Sequence, residues 1–154
     1  MTRCRLILIS LLTVIAIVAA ACSSGSGTTD ASDVDLTGET QEVPVDGGSY
    51  TDVSVKGLEA MLQNKDFLFV NVHIPYAGEI EQTDAFVPFD QVQANLSAIP
   101  SDKSAKIAVY CRSGGMSAIA ARDLVALGYT NVWNLDGGMN AWVAAGNELL
   151  QKSG

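Results

Sequence analysis

The chain has 154 residues, which fits one domain, and its 48% hydrophobic against 17% charged residues exclude a chain disordered throughout. The formal net charge is −8, and nine Lys and Arg supply no basic patch of the kind that binds nucleic acid. Three cysteines cannot form a disulfide framework without leaving one thiol over.

The first 22 residues have the organisation of an export signal. Arg3 and Arg5 precede an apolar run of 16 residues, and three alanines lead directly to Cys22. The run is short for a spanning helix, which needs about 20 residues. Small residues before a cysteine resemble a bacterial lipobox, so we expect residues 1–21 to be removed and Cys22 to carry acyl chains that hold the protein at a membrane. An uncleaved anchor or a plain signal is the alternative, and every version places the domain outside the cytoplasm, on the cell membrane's outer face or in the periplasm.

The segment after the signal differs in composition from the rest of the chain. Residues 22–48 are rich in Gly, Ser, Thr and Asp and contain few large apolar side chains. This composition predicts a flexible tether before a folded domain at residues 49–154. A structured arm around residues 43–45 is the alternative. With residues 1–21 removed and Cys22 acylated, Cys111 is the cysteine that keeps a thiol, in a compartment where thiols are often oxidised.

Strand and helix patterns alternate along the predicted domain. After a strand over residues 50–53, Ser54 predicts the N-cap of a helix over residues 55–63, whose apolar side chains share one face. The alternation predicts an α/β sheet with helices on its faces. The remaining predicted elements are strands at 67–72 and 85–89, a helix at 92–98, a strand at 106–110, a loop at 111–116, a helix at 117–127, a strand ending at 132–133 and a helix at 139–145.

The loop after the strand at 106–110 carries the chemistry. It reads YCRSGGMS from Tyr110 to Ser117. Ligands bind at the carboxyl ends of strands in parallel sheets, and a glycine-rich turn there can aim several backbone N–H groups at one anion. The same groups, with the following helix N-terminus, would stabilise a thiolate at Cys111. A nucleophilic thiolate beside such a turn suits transfer chemistry on an oxyanion substrate.

Two families place a cysteine in such a loop. Cysteine phosphatases need an arginine six places after the nucleophile, and Ser117 stands there, which argues against phosphatase chemistry. The loop instead resembles that of the single-domain rhodaneses, the thiosulfate-type sulfurtransferases. The segments LGYTNV at residues 127–132 and LDGGMNAW at residues 135–142 are similar to two downstream motifs of that family. The resemblance covers about residues 50–146 and implies a five-stranded parallel sheet flanked by helices.

The resemblance also implies a mechanism. Cys111 would be the nucleophile and would cycle between thiol and persulfide, loaded by thiosulfate or another sulfane donor and unloaded by cyanide or a protein thiol. Neither a cofactor nor a metal is expected, and we expect a monomer that binds no nucleic acid. The expected substrate-binding residues are Arg112, Ser113, Gly114, Gly115, Met116 and Ser117.

Several positions depart from the family pattern. Met116 stands where many family loops carry arginine, which removes a cation that would face an anionic donor. Asn71 and His73 stand at the two ends of the family's DVR motif, where they would position the active-site residues without contacting the substrate. Glu79 stands where the family has a histidine. Because of these departures, the sequence does not identify the sulfur donor. They also keep a second hypothesis open, a redox-sensing or protein-binding module in which an activated Cys111 is oxidised instead of sulfurated.

Overall fold

The computed structural model of the chain describes residues 34–151. The predicted export signal, Cys22 and the first part of the predicted tether lie outside the described residues. Among residues 34–151, no helix has the length and apolar character needed to cross a membrane.

A six-stranded sheet forms the centre of the domain, with strand order β1-β2-β6-β5-β3-β4. The five strands β2 to β6 are parallel to one another, as the sequence resemblance implied, and β1 adds a sixth strand antiparallel to β2. The α/β class is confirmed. The strands are β1 Thr40–Val45, β2 Gly48–Val53, β3 Leu68–Asn71, β4 Ala85–Phe86, β5 Ile107–Tyr110 and β6 Val132–Leu135.

Strand β1 lies inside the segment predicted as a tether. It forms a hairpin with β2 in which Val43 is paired with Tyr50, and both Val43 and Val45 pack against the core. The tether prediction is therefore wrong for residues 40–48. Val43 and Val45 have the two-residue spacing of side chains on one face of a strand, whereas the polar composition of the surrounding segment is typical of a tether.

Three α-helices flank the sheet, α1 Val55–Gln63, α2 Gly115–Ala126 and α3 Gly138–Ala144. Helix α1 has the predicted bounds because the Ser54 hydroxyl accepts a hydrogen bond from the Gly57 N–H at 3.1 Å, as an N-cap does. Helix α2 begins two residues earlier than predicted and α3 one residue earlier. The predicted helix at residues 92–98 is instead a 3₁₀ segment, Gln93–Ala98, which follows a short 3₁₀ turn at Phe89–Gln91.

The core has two layers, one on each face of the sheet. Helix α2 covers one layer, which contains Leu124, Val109 and Cys111. Helices α1 and α3 cover the other, which contains Tyr110 and Trp142. Successive side chains of a strand point to opposite faces, so Cys111 faces the α2 layer whereas Tyr110 faces the other layer.

Candidate active site

Cys111 lies directly after β5, in a tight turn that leads into α2. Gly114 has φ +92°, a left-handed conformation that side-chain-bearing residues rarely adopt, and this turn places its N–H 3.1 Å from the Cys111 Sγ. The Ser117 hydroxyl lies 3.4 Å from the same sulfur and within hydrogen-bond distance of it. The cysteine is 1% exposed. The sulfur is therefore surrounded by hydrogen-bond donors and shielded from bulk water.

These donors set the acidity of the thiol. Burial raises the pKa of Cys111, and the side chain and backbone of Ser117 together with the backbone N–H groups of Ser113 and Gly114 lower it. The donors outweigh the burial, so the pKa lies below the ordinary value of a cysteine. A lowered pKa increases the thiolate fraction at neutral pH, and the thiolate is the nucleophilic form.

Helix α3 holds the same loop from the opposite side. The Met139 N–H donates to the Cys111 carbonyl and the Asn140 N–H to the Arg112 carbonyl, both at 2.9 Å. Gly138 approaches so closely that a Cβ there would lie 2.3 Å from the Cys111 carbonyl oxygen. Because α3 binds the carbonyls of the loop, the N–H groups of the following residues are left to face the sulfur. This arrangement gives a physical role to the LDGG segment, residues 135–138, whose sequence resembles a family motif.

The expected substrate-binding residues do not all lie at the sulfur. Ser113, Gly114 and Ser117 bond to it. Gly115 is exposed in the first turn of α2. Met116 is half-buried and packs against the core layer that contains Cys111.

Arg112 lines a cavity on the α3 side of the loop, together with Asn140 and four apolar residues. The sequence predicts this arginine among the residues that bind the donor, and its carbonyl accepts from the Asn140 N–H on α3.

Asn71 and His73 organise the neighbouring loop, which follows β3. The fully buried Asn71 donates from Nδ2 to the Gly78 carbonyl and accepts at Oδ1 from the His73 N–H, both at 3.0 Å. An aspartate in its place could accept but could not donate. His73 is 7% exposed, and burial together with the positive charge of Arg112 lowers the pKa of its imidazole. The imidazole is therefore neutral at pH 7.

A contact near the C-terminus was not visible in the sequence. Glu79, which is buried, forms a two-way backbone bridge with Leu150, with N–O distances of 2.9 and 2.8 Å. The indole N–H of Trp142 donates to the Glu148 carbonyl at 3.1 Å. The segment after α3 thus binds the loop in which Asn71 makes its hydrogen bonds, and no local sequence pattern predicts this pairing.

Within residues 34–151, no three His, Cys, Asp or Glu residues are placed to hold a metal ion.

The sequence of this domain is similar to those of known proteins. The rhodanese-like domain family matches residues 55–145. A sulfurtransferase from Allochromatium vinosum is 33% identical over 100 residues, which are 62% of this chain and 90% of that protein. An adenylyltransferase and sulfurtransferase from Candida albicans is 31% identical over 100 residues, but the match covers only 23% of that larger protein.

Solved structures with a similar fold support the same comparison. A rhodanese-like domain protein from Staphylococcus aureus superposes with a TM-score of 0.56 at 28% identity, covering 66% of this chain and 98% of that one. A thiosulfate sulfurtransferase from Pseudomonas aeruginosa gives a TM-score of 0.57 at 27% identity, covering 66% of this chain and 20% of that one. With the family matched over residues 55–145, a stretch that contains the whole Cys111 loop, the chain belongs to the rhodanese-like domain family.

Proposed function

We propose that this protein is a sulfurtransferase that carries sulfur on Cys111 as a persulfide. The observation that carries the proposal is the set of donors around the Cys111 Sγ, from Ser113, Gly114 and Ser117, which lower its pKa despite burial. The same donors are suited to hold a terminal sulfur that bears negative charge, because backbone N–H groups in a tight turn bind anions.

The loading step is a displacement at sulfur. The Cys111 thiolate attacks the outer sulfur of thiosulfate, a Cys111 S–S bond forms, and the S–S bond of thiosulfate breaks with its electron pair leaving on sulfite. The products are a deprotonated Cys111 persulfide and sulfite, so charge is conserved and no external oxidant is required. In the unloading step a thiolate or cyanide attacks the terminal sulfur and the electron pair returns to the Cys111 Sγ.

The test is the intact mass of the purified protein after incubation with thiosulfate and, separately, with a persulfide donor. We expect the wild type to gain one sulfur atom with at least one of them and the Cys111→Ser variant to gain none. A wild type that gains no sulfur from either donor contradicts the proposal. Sulfur gained equally by Cys111→Ser contradicts the assignment of Cys111.

The redox-sensing alternative depends on the same lowered pKa and is separated from sulfur transfer by the same measurement. A sensor would react with dilute hydrogen peroxide at Cys111 to form a sulfenic acid, yet gain no sulfur from either donor. That pattern would replace the transferase proposal with the sensing one.

We also propose that the protein works outside the cytoplasm, attached to a bacterial membrane through acylated Cys22. The support is the charged start, the apolar run and the small residues that precede this cysteine. The mature protein isolated from membranes should begin at Cys22 and carry acyl mass there, and Cys22→Ala should carry none. A mature chain that begins at another residue would refute the anchor.

A further inference from the structure

The exposed side of helix α3 carries no charge. Residues 137–147 contain no charged side chain, although 17% of the residues in the chain are charged. Asn140, Val143 and Ala144 are exposed, and their spacing of three and four residues places them on one side of the helix. A surface helix of a globular domain ordinarily has charged and polar residues on that side, and α1 and α2 both expose charged side chains. The exposed side of α3 therefore has the composition of a contact surface.

Exposed apolar side chains continue this surface beyond the helix. Four of the five large apolar side chains that are exposed within residues 34–151 lie in α3 or in the segments beside it: Val143, Leu150, Tyr76 and Phe86. The rings of Tyr76 and Phe86 are in contact, with centroids 6.0 Å apart. Ala77, which follows Tyr76, lines the same cavity as Val143 and Leu149. We call the exposed side of α3 together with these side chains the α3 face. Apolar surface gathered in this way marks an interface more often than scattered apolar residues do.

Two opposite charges lie at opposite ends of α3. Arg112 lies at the N-terminal end of the helix, where its carbonyl accepts from the Asn140 N–H at 2.9 Å. Glu148 follows the C-terminal end, and its carbonyl accepts from the Trp142 indole N–H at 3.1 Å. Both charged residues are exposed, and neither forms an ion pair with another residue of the described range 34–151. The seven residues of the helix between them rise by about 10 Å.

We propose that the α3 face binds the same face of a second copy of this chain, about a two-fold axis that sets the two α3 helices antiparallel. In such an interface every contact occurs twice. Antiparallel helices place the N-terminal end of one beside the C-terminal end of the other, so Arg112 of each copy pairs with the partner's Glu148. The small side chain of Ala144 lets the helices approach closely, because the distance between packed helices depends on the side chains at the contact. This inference replaces the monomer expected from the sequence.

The charges favour a second copy over the other occupants of an apolar face. Attraction to an anionic lipid surface needs several clustered basic residues, and Arg112 is the one basic residue that the structure describes on this face. The net charge of −8 further opposes such a surface. A partner protein of different sequence would have to present an acid and a base at the spacing of Arg112 and Glu148, and a second copy turned by half a revolution presents both.

The proposed pairing is independent of the proposed sulfur transfer. Cys111 belongs to the core layer that α2 covers, on the other face of the sheet from α3. Two copies joined through α3 keep their α2 sides outward, so pairing does not cover that side. Association is therefore measured without sulfur chemistry, and its failure leaves the assignment of Cys111 unaffected.

The first test is a cross-link between full chains in cells that produce them. Val143→Cys places a thiol on the exposed side of α3, and Ile119→Cys places one at similar exposure on α2, the wild-type side chains being 50% and 42% exposed. Mild oxidation should join Val143→Cys chains into disulfide dimers and leave Ile119→Cys chains single. Cys22 and Cys111 are common to both variants, so a difference between them reports on position 143.

Three outcomes of the cross-link would overturn the inference. The first is no dimer from Val143→Cys, and the second is an equal yield of dimer from both variants, which would show random collision. The third is a product whose mass exceeds one chain by that of another protein, which would assign the α3 face to a different partner.

The second test reverses the two charges. Sedimentation equilibrium of the purified full chain in density-matched detergent measures the dimer dissociation constant. Arg112→Glu and Glu148→Arg each set like charges against one another twice, so each should raise this constant at least about tenfold. The double variant Arg112→Glu/Glu148→Arg restores opposite charges and should return it close to the wild-type value. A wild type that remains monomeric at about 100 μM, or a double variant no better than the single ones, would refute the antiparallel pair.

Discussion

At the scale of single residues, the acidity of Cys111 depends on few atoms, and Ser117 supplies the only side-chain donor among them within residues 34–151. Ser117→Ala removes the hydroxyl without adding volume at a fully buried position. We expect the thiol pKa to rise and the rate of iodoacetamide alkylation at pH 7 to fall roughly fivefold, the scale of one hydrogen bond. The pH dependence of the alkylation rate measures this, and an unchanged profile would show that the backbone donors suffice.

Met116 offers a test of donor specificity. Its half-buried side chain packs against the core layer of Cys111, and the stem of an arginine can cover the same surface while its charged end reaches water. Met116→Arg should raise kcat/KM for thiosulfate several-fold, because it adds a cation near an anionic donor. Steady-state assays with cyanide as acceptor check this, with Met116→Gln as the uncharged control. A rate equal to that of the control would mean that position 116 does not face the donor.

At single positions, the sequence was sufficient to identify the loop that carries Cys111, but not to place every residue of that loop. The turn that follows Cys111 is a local feature, so the donors from Ser113, Gly114 and Ser117 could be anticipated. The placement of Arg112 depends on α3 and the segment after it, which approach from distant parts of the chain. No spacing within the loop contains that information.

At the scale of elements, the contact between α3 and the Cys111 loop requires a glycine at position 138. A Cβ there would collide with the Cys111 carbonyl, and φ is +56°. Gly138→Ala should lower the free energy of unfolding by about 3 kcal/mol and slow alkylation of Cys111. Gly146 has φ +95°, and a Cβ added there would meet no atom within 4 Å, so this position separates strain from collision.

The matched variant Gly146→Ala should cost only about 1 kcal/mol, from the left-handed backbone alone. Denaturant unfolding of both variants measures the difference. Equal losses of unfolding free energy in the two variants would show that the Cys111 loop moves to accommodate the added Cβ at no extra cost.

Elements with their own local sequence signals could be predicted, whereas contacts between distant parts of the chain could not. Helix α1 has its own cap at Ser54 and its own apolar face, and its bounds match the prediction. The bridge between Glu79 and Leu150 joins residues far apart in the chain, so no local pattern predicts it. Strand β1 pairs with the neighbouring β2 but lies in a segment whose polar composition predicts a tether. The 3₁₀ segment Gln93–Ala98 contains a non-helical residue, Asn95, which apolar periodicity alone does not reveal.

At the scale of the whole molecule, His73 is the one histidine of the sequence and should govern stability in weak acid. Its folded pKa lies below the ordinary value near 6.5, so the unfolded chain takes up the proton at a higher pH than the folded chain does. Its contribution is fully present above that value and is lost as the pH falls toward the folded pKa. The free energy of unfolding should therefore decrease as the pH is lowered below about 6.5.

His73→Gln should flatten this dependence between neutral pH and the range where carboxyl groups begin to titrate. Chemical denaturation of both proteins at a series of pH values supplies the comparison. If the variant loses stability over the same range as the wild type, another group is responsible.

The two hydrogen bonds from Met139 and Asn140 to the Cys111 loop also make the order of folding matter for the thiol. A chain in which β5 and α2 have folded but α3 has not yet docked leaves the carbonyls of Cys111 and Arg112 without these two donors. Docking of α3 therefore completes the loop that activates the sulfur, and a partly folded chain is a weaker nucleophile than the folded domain.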